Sequence, residues 1–445
     1  MRDRLPCFHL SPSGPPFEAS VSYILEQRKP RVADLMAAAD RDGRVLIQAR
    51  SGVGDQTAMI RMLREIASHG TPDILSLTID SYTRLGLFGK AASAQLTNPA
   101  LLNGYPLVAH GHRKVRELDA AFQLPIQVRH GSPDGRRLFA ESIAGGLSSF
   151  EGGGIGYNIP YCKDVPLAHS LACWREIDDA VALLADAGLT VEREMFGSLS
   201  GVLVPPSIAL SCVLLEAILA VRAGCIAISL SVPQGGHLVQ DVAALISARR
   251  LCVQFLPKDV CTHVVLHQYM GVFPKDRGRA DALIFMGGLT AKLGRATKVI
   301  TKTYQEAIGS PDANANNAGL CLTRAAMGEH DWCPPLNDSE VEEEVHQIMA
   351  EVIEIVMPIL GRSPIEREIV RAFESGRLDV PFPANKIAHG NVIPVRDPTG
   401  AIRFAKTGAL PFSSSVKRGA IKGVENHSGR GGLSAQLRES VMYFA

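Results

Sequence analysis

The sequence predicts an α/β protein built on a closed (β/α)8 barrel, the TIM-barrel architecture. Two observations point there. Apolar runs of strand length alternate with amphipathic segments between Arg44 and Lys302, the pattern of βαβ units and a parallel sheet. The strand candidates also end in charged or ring side chains, as at the carboxyl-end face where such a barrel carries its site. The alternative is an open doubly wound sheet. Against it, the glycines at 152, 153, 154 and 156 do not fit G-x-G-x-x-G, and no P-loop lysine follows a glycine cluster.

The elements fall in order. Residues 1–40 read as an arm, turn-rich at Ser11–Pro16 and helical at Val32–Ala39. Residues 41–330 read as the barrel. Its strand candidates are Arg44–Gln48, Ile74–Ile79, Leu102–Val108, Pro125–Val128, Ser148–Glu151, Thr190–Arg193, Cys225–Leu230, Val264–His267 and Lys298–Lys302. That is one more than a barrel needs, and Leu102–Val108, around Asn-Gly-Tyr-Pro, is the surplus. Thr57–His69, Leu171–Leu184, Pro205–Gly224, Leu238–Leu251 and Asp281–Leu293 read as helices. Ser132, Pro133 and Asp134 suit the first turn of another. Residues 331–445 read as an extension packing on the barrel. Ser339-x-x-Glu342 is a capping box, Ile365–Ser375 a helix, and the Pro- and Gly-rich remainder an irregular wrap, polar and loosely ordered from Ser413.

Composition narrows the class. The chain has 445 residues, enough for about three domains by length alone. Apolar residues make up 46%, enough for a large core, and the net charge is +1, so no field favours nucleic acid or an anionic membrane. Pro205–Gly224 is apolar but interrupted by Glu216 and Arg222, and reads as a buried helix. The first residues, MRDRLPCFHLSPSGPP, lack the apolar core of a secretion signal. Nine cysteines without a C-x-x-C pair suggest reduced thiols and a cytoplasmic location. His263 and His267 have a metal-like spacing but sit in a β-rich run without a neighbouring set of Cys and carboxylate ligands, so no metal site is expected.

The chemistry concentrates where strands end. Arg50, Arg84 and Arg129 close three of them, with His130 beside Arg129. Glu151 closes the next, before a glycine-rich loop carrying Tyr157 and Tyr161. Glu194, His267 and Lys302, with Glu306 shortly after, close later ones. Three converging guanidinium groups repel unless a dianion fills the space, and two carboxylates on a short chain fit three such forks. Glu151 then faces an ammonium group. The plainer readings are that each arginine pairs with a local acid such as Asp80, that Glu151 binds loop amides, and that the tyrosines pack. No hydrolytic nucleophile with its base is present, so the site binds and orients, and hard chemistry falls to a cofactor.

Eight blocks then resemble one family: SFEGGGIGYNIPYCKDVPL, VRHGSPD, TIDSYTR, LLNGYP, GVLVPPSI, LHQYMGVFP, ATKVITKTYQEAIGSP and RAFESGRLDVPF. Together, from Arg44 to Phe412, they resemble the large (epsilon) subunit of glutamate mutase, or methylaspartate mutase. The resemblance implies an adenosylcobalamin-dependent isomerase. It would interconvert L-glutamate and L-threo-3-methylaspartate by radical fragmentation to a glycyl radical and acrylate, then recombination, inside a sheltering barrel. Carried across, Arg50, Arg84 and Arg129 grip the substrate carboxylates, with Gly52 beside the first. His130 and His267 line the substrate pocket. Glu151 faces the amino group and accepts its proton, and Tyr157 and Tyr161 hold the substrate. Asn103, Pro160, Phe273, Lys302 and Glu306 contact the coenzyme, and Ser310 stands where the family often has Ile. The family's cobalamin-base motif, D-x-H-x-x-G, lies on a small subunit and is not found here. The resemblance therefore implies a small cobalamin-binding partner and a heterotetramer with two copies of this chain at its centre. Tyr304-Gln305, Tyr269 and Val272 depart from the family pattern on the coenzyme side. Other readings are a related mutase on another amino dicarboxylate, and a non-catalytic barrel that binds an acidic amino acid.

Overall fold

A computed structural model of the chain describes residues 14–328, 336–424 and 432–445. Among the described residues, eight parallel strands form the barrel: β1 (Leu46–Gln48), β2 (Leu75–Thr78), β3 (Ile126–Arg129), β4 (Ser149–Glu151), β5 (Glu192–Met195), β6 (Ala227–Pro233), β7 (Cys261–His267) and β8 (Lys298–Ile300). From β2 to β8 each pairs with the next, and β8 returns to β1 with Leu46 opposite Lys298. The seam between β1 and β2 is narrower. It is held by a Gln48–Ile74 bridge and by the Thr78 amide donating to the Ser51 carbonyl at 2.8 Å. The surplus segment Leu102–Val108 is not a strand. Only Tyr105 bridges to Ile79, and a helix (Leu107–Ala120) begins directly after Pro106, which has no amide proton to give a ladder.

Side chains alternate along every strand. One set, such as Leu75, Val128, Phe150, Ile228 and Val299, packs outward into the main apolar core. The inward set is largely polar. Gln127 donates to Glu192 (3.0 Å) and Glu194 (3.1 Å), Ser149 and Ser229 donate to Glu192, and Lys298 bonds Glu194 at 2.8 Å. This polar lining explains why β5 lies two residues beyond its expected place at Thr190–Arg193: its inward residues are acids, and apolar runs do not mark it.

At the base, Leu46, Ile74 and Val265 meet Val32, Met36 and Ala39 of the arm helix Val32–Asp42. Asp40 at that helix's end bonds His263 Nδ1 and Thr297 Oγ1, each at 2.7 Å. The helix Pro206–Ala223 has the length and apolar character of a membrane span, yet 83% of its apolar window is buried inside the protein. It is a wall of the barrel.

Beyond the barrel, the helix Asp338–Leu360 lies against Pro206–Ala223 and Leu238–Phe255. Its cap is Asn337, which accepts from the Ser339 amide at 3.1 Å, so the capping box expected at Ser339 is displaced. The stretch read as irregular contains an antiparallel hairpin, β9 (Val392–Arg396) and β10 (Ile402–Thr407), and two helices follow it, Ser414–Ala420 and Gly432–Val441. The sequence-based boundary at 330 and the Ser11–Ser13 part of the turn-rich arm lie outside the described residues. The helix expected at Ser132 starts at Arg136. Ser132 Oγ accepts instead from the Asp134 amide, in a turn.

Burial alone would lower the pKa of His263, but Asp40 and Cys261 raise it to about 9. A folded-state value above the unfolded one gives stability that is present below the unfolded value and fades as pH rises through 9. Asp40→Asn should therefore lower the stability measured by urea unfolding most near pH 6, by at most about 3 kcal/mol, with the difference from wild type shrinking toward pH 10. A deficit that does not vary with pH would rule out the ion pair as its source.

Candidate active site

The carboxyl ends of the strands open into a cleft of about 650 Å³ lined by Arg50, Ser51, Gly52, Thr78, Ile79, Arg84, Asn103, His130, Glu306, Gly309, Ser310 and Pro311. Gly52 is required by space: a Cβ there would stand 2.4 Å from the Thr78 carbonyl oxygen. Arg84 ends a short helical turn capped by Asp80, whose side chain accepts from the Thr83 amide at 3.0 Å. Asp80 is thus occupied as a cap. Among the described residues Arg84 forms no ion pair, and its buried Nε has no partner. Asn103 accepts from the Ser81 amide at 3.0 Å, tying the Asn-Gly-Tyr-Pro loop to that turn.

Arg129 differs from the other two arginines. It is fully buried and has fixed carboxylates: Glu151 at 3.1 Å and Glu194 at 3.3 Å. The expectation of three forks without carboxylate partners therefore holds for Arg84 and, apart from Glu306 at 4.0 Å, for Arg50, but not for Arg129. Glu151 also accepts from the His130 amide (3.0 Å) and the Tyr157 hydroxyl (3.1 Å). His130 reaches that position with a φ of 73°, a left-handed backbone that costs a non-glycine residue on the order of 1 kcal/mol or more. Its ring turns back to the cleft, where Nε2 lies 3.0 Å from an Arg50 nitrogen.

His267 lies deeper. Its Nε2 is 2.9 Å from Glu194, and its Nδ1 is 3.0 Å from Ser198 Oγ. Burial and the Arg129 charge push its pKa down to about 4, so the ring is neutral. An Arg129 nitrogen also lies 3.1 Å from Nε2, and a neutral ring that donates from Nε2 to Glu194 and accepts at Nδ1 from Ser198 leaves that approach without a hydrogen bond. His130 is neutral for related reasons. Burial, then Arg50, Arg84 and Arg129, hold it well below the usual imidazole range, leaving Nε2 free to accept from Arg50.

The two acids are unequal. Burial raises Glu151, opposed by Arg129 and reinforced by Glu194. Burial acts on Glu194 too, but Arg129 and Lys298 overcome it and hold it well below the carboxylate range. Of the two, Glu151 is the carboxylate whose affinity for a proton is raised. Tyr157 is raised far above its normal value by burial and by Glu151, and stays a hydroxyl donor. Lys302, lowered to about 8 by burial against the pull of Glu306, bonds that carboxylate at 2.7 Å.

The remaining candidates lie at the rim or away from it. Tyr161 is partly exposed, with its hydroxyl on the Leu199 carbonyl at 2.6 Å and Pro160 beside it in the same turn. Phe273 packs with Tyr269, Leu283 and Ile284 in a separate apolar cluster and does not line this cleft. Glu216, read from sequence only as a break in an apolar run, accepts from the amides of Ile155 (2.5 Å) and Gly156 (2.9 Å). Anchoring the glycine loop is thus its task and not that of Glu151. A Cβ at Gly153 would meet the Glu216 carboxylate at 2.3 Å. Glu192, Gln127 and Lys298 also went unread. Their signal was polar residues two apart within strands, at Gln127/Arg129 and Glu192/Glu194.

A family model described as "Methylaspartate mutase E chain (MutE)" matches residues 27–439. The chain is 40% identical over 384 residues to the "Glutamate mutase epsilon subunit" of Halobacterium salinarum, covering 84% of this chain and 80% of that one. It is 37% identical over 419 residues to the protein of that name from Desulfitobacterium hafniense, covering 90% and 85%. For the Haloarcula marismortui protein, also so named, identity is 40% over 395 residues, covering 86% and 80%.

Removing Glu194 leaves Arg129 and Lys298 buried with too little countercharge. Glu194→Ala should cost about 3–5 kcal/mol, read as a fall in the urea midpoint. A loss below about 1 kcal/mol would mean that other groups neutralise these cations.

Proposed function

The chain belongs to the methylaspartate mutase E chain family of glutamate mutase epsilon subunits, and on that basis we propose that it interconverts L-glutamate and L-threo-3-methylaspartate. The coenzyme in this reading is adenosylcobalamin, held jointly with a small cobalamin-binding subunit, and two copies of this chain form the centre of the assembly.

The observation that carries the substrate assignment is the Arg129–Glu151 pair at 3.1 Å, buried a layer beneath the cleft that Arg50 and Arg84 line. A protein ion pair of this kind matches an α-amino acid zwitterion. On binding, the substrate carboxylate takes the Arg129 face and the ammonium takes Glu151, so that one buried pair is exchanged for two. Arg129 keeps Glu194 as its second anion throughout. Arg50 and Arg84 then receive the other carboxylate bidentately, each charge-assisted bond contributing about 1.5–3 kcal/mol. Glu151, whose burial raises its affinity for protons, accepts from the ammonium. Neutral His130 and His267 fix arginine and carboxylate geometry without adding charge.

The chain's residues suit the nucleoside side of the coenzyme. Lys302 and Glu306 present a buried ammonium–carboxylate pair able to hold a ribose diol, and Asn103, Ser310 and Gly52 give the cleft a polar, narrow wall. When bound, adenosylcobalamin supplies the radical that initiates hydrogen abstraction. The barrel walls keep water from that radical chemistry.

Reconstitution with the small subunit and adenosylcobalamin should convert glutamate to 3-methylaspartate. Arg84→Lys should lower kcat/KM about 10- to 100-fold with the fold intact, because a point charge loses the bidentate geometry. Full activity in that variant would overturn the arginine assignment. No conversion with a folded, cobalamin-loaded partner would favour a different amino dicarboxylate or a binding role.

A further inference from the structure

Outside the cleft, three metal-ligating side chains of three kinds converge, and none of them belongs to the cleft lining. His169 and Cys173 stand one turn apart on the helix Leu167–Asp186, so they share a face. His169 Nε2 lies 3.5 Å from Cys173 Sγ. Asp134, from the turn after β3, brings Oδ2 to 4.0 Å from the same nitrogen. The three ligand atoms all lie within 4.8 Å of one another. The surroundings hold this arrangement. Cys173 is buried, and Trp174 beside it donates from Nε1 to the Ser132 carbonyl at 2.9 Å, fastening the turn to the helix. Arg136 donates to the two Asp134 oxygens at 2.9 and 2.8 Å and to Glu176 at 3.0 Å. Each carboxylate oxygen keeps a second lone pair. The His169 and Asp134 side chains are 52% and 39% exposed, which leaves an approach from solvent.

We propose that Asp134, His169 and Cys173 bind a zinc ion, with water as its fourth ligand, which clamps the turn after β3 to the helix Leu167–Asp186. A tetrahedral zinc with ordinary bond lengths sets its nitrogen and sulfur ligands about 3.6 Å apart and its nitrogen and oxygen ligands about 3.4 Å apart. The first separation is already met. The second asks the partly exposed His169 and Asp134 to close by about 0.6 Å. Sulfur, nitrogen and oxygen together select a borderline-soft ion, whereas magnesium and calcium take oxygen ligands. As sulfur binds the ion, the thiol proton leaves to solvent. The charges then balance. Asp134, Glu176 and the thiolate are three anions around the single Arg136 guanidinium, and a divalent cation cancels the excess. The turn so clamped follows His130, which lines the cleft, so the ion steadies the segment that leads out of the site.

The test reads metal binding and not activity. The full chain, stripped with a chelator, is titrated with Zn²⁺ against a chromophoric competitor, and separately with Co²⁺ while its absorption is followed. One Zn²⁺ per chain should bind with micromolar affinity or tighter, and excess Mg²⁺ should not displace it. Co²⁺ should give a thiolate charge-transfer band. Cys173→Ser, His169→Gln and Asp134→Asn should each weaken Zn²⁺ at least about tenfold, and Cys173→Ser should abolish the band. Cys261→Ser and Cys321→Ser, at the exposed thiols, should change neither. Zn²⁺ should raise the Tm of the wild-type chain and leave that of Cys173→Ser where it was. If the wild-type chain binds Zn²⁺ no more tightly than Cys173→Ser does, the proposal fails. It also fails if any of the three ligand variants, folded by circular dichroism, binds Zn²⁺ as the wild type does.

Discussion

The architecture of the cleft depends on one buried ion pair, Arg129 with Glu194. A guanidinium with no exposure to solvent must have a countercharge close by, and Glu194 provides it permanently. Lys298 on β8 and the neutral imidazole of His267 on β7 bond the same carboxylate. Strands β3, β5, β7 and β8 are thereby tied through a single group at the barrel's centre. Glu151 on β4 is then left as the surplus anion beside Arg129. Its proton affinity is raised first by burial, with the nearby Glu194 charge adding to it against the pull of Arg129.

Much of the fold could be read from the chain. The alternation of strands and helices was visible because outward strand faces and inward helix faces are apolar. The half that was hidden lies inside the barrel. Gln127, Glu192, Glu194 and Lys298 carry no apolar signal, so β5 was displaced in the reading and the network was not assembled. Partners that lie 65 to 104 residues apart in sequence, such as Arg129 and Glu194 or Lys298 and Glu194, come together only through barrel closure. The β9–β10 hairpin was obscured by Pro394 within one strand and by prolines and glycines around it.

At the site itself, residue types at strand ends were legible and their partners were not. Arg50, Arg84 and His130 do share one cleft. Arg129 looked equivalent to the other two arginines, yet it sits a layer deeper with two carboxylates. The glycine loop's anchor was sought in Glu151, next in sequence, and lies instead in Glu216 on a helix more than sixty residues later. Proximity along the chain misled there because the loop's amides point away from β4, toward the barrel wall.

Ring closure between β1 and β8 has a consequence for how the site comes into being. Arg50 leaves β1, whereas Lys302 and Glu306 leave β8, and their meeting requires strands separated by some 250 residues to pair. Contacts so distant along the chain form late, since the entropy of closing the loop must be overcome before they return anything. A ribosome-bound chain that has released six or seven strands therefore has arginines but no pocket. The cleft is completed only with the last strand, so a truncated or half-folded copy presents no pocket at this face.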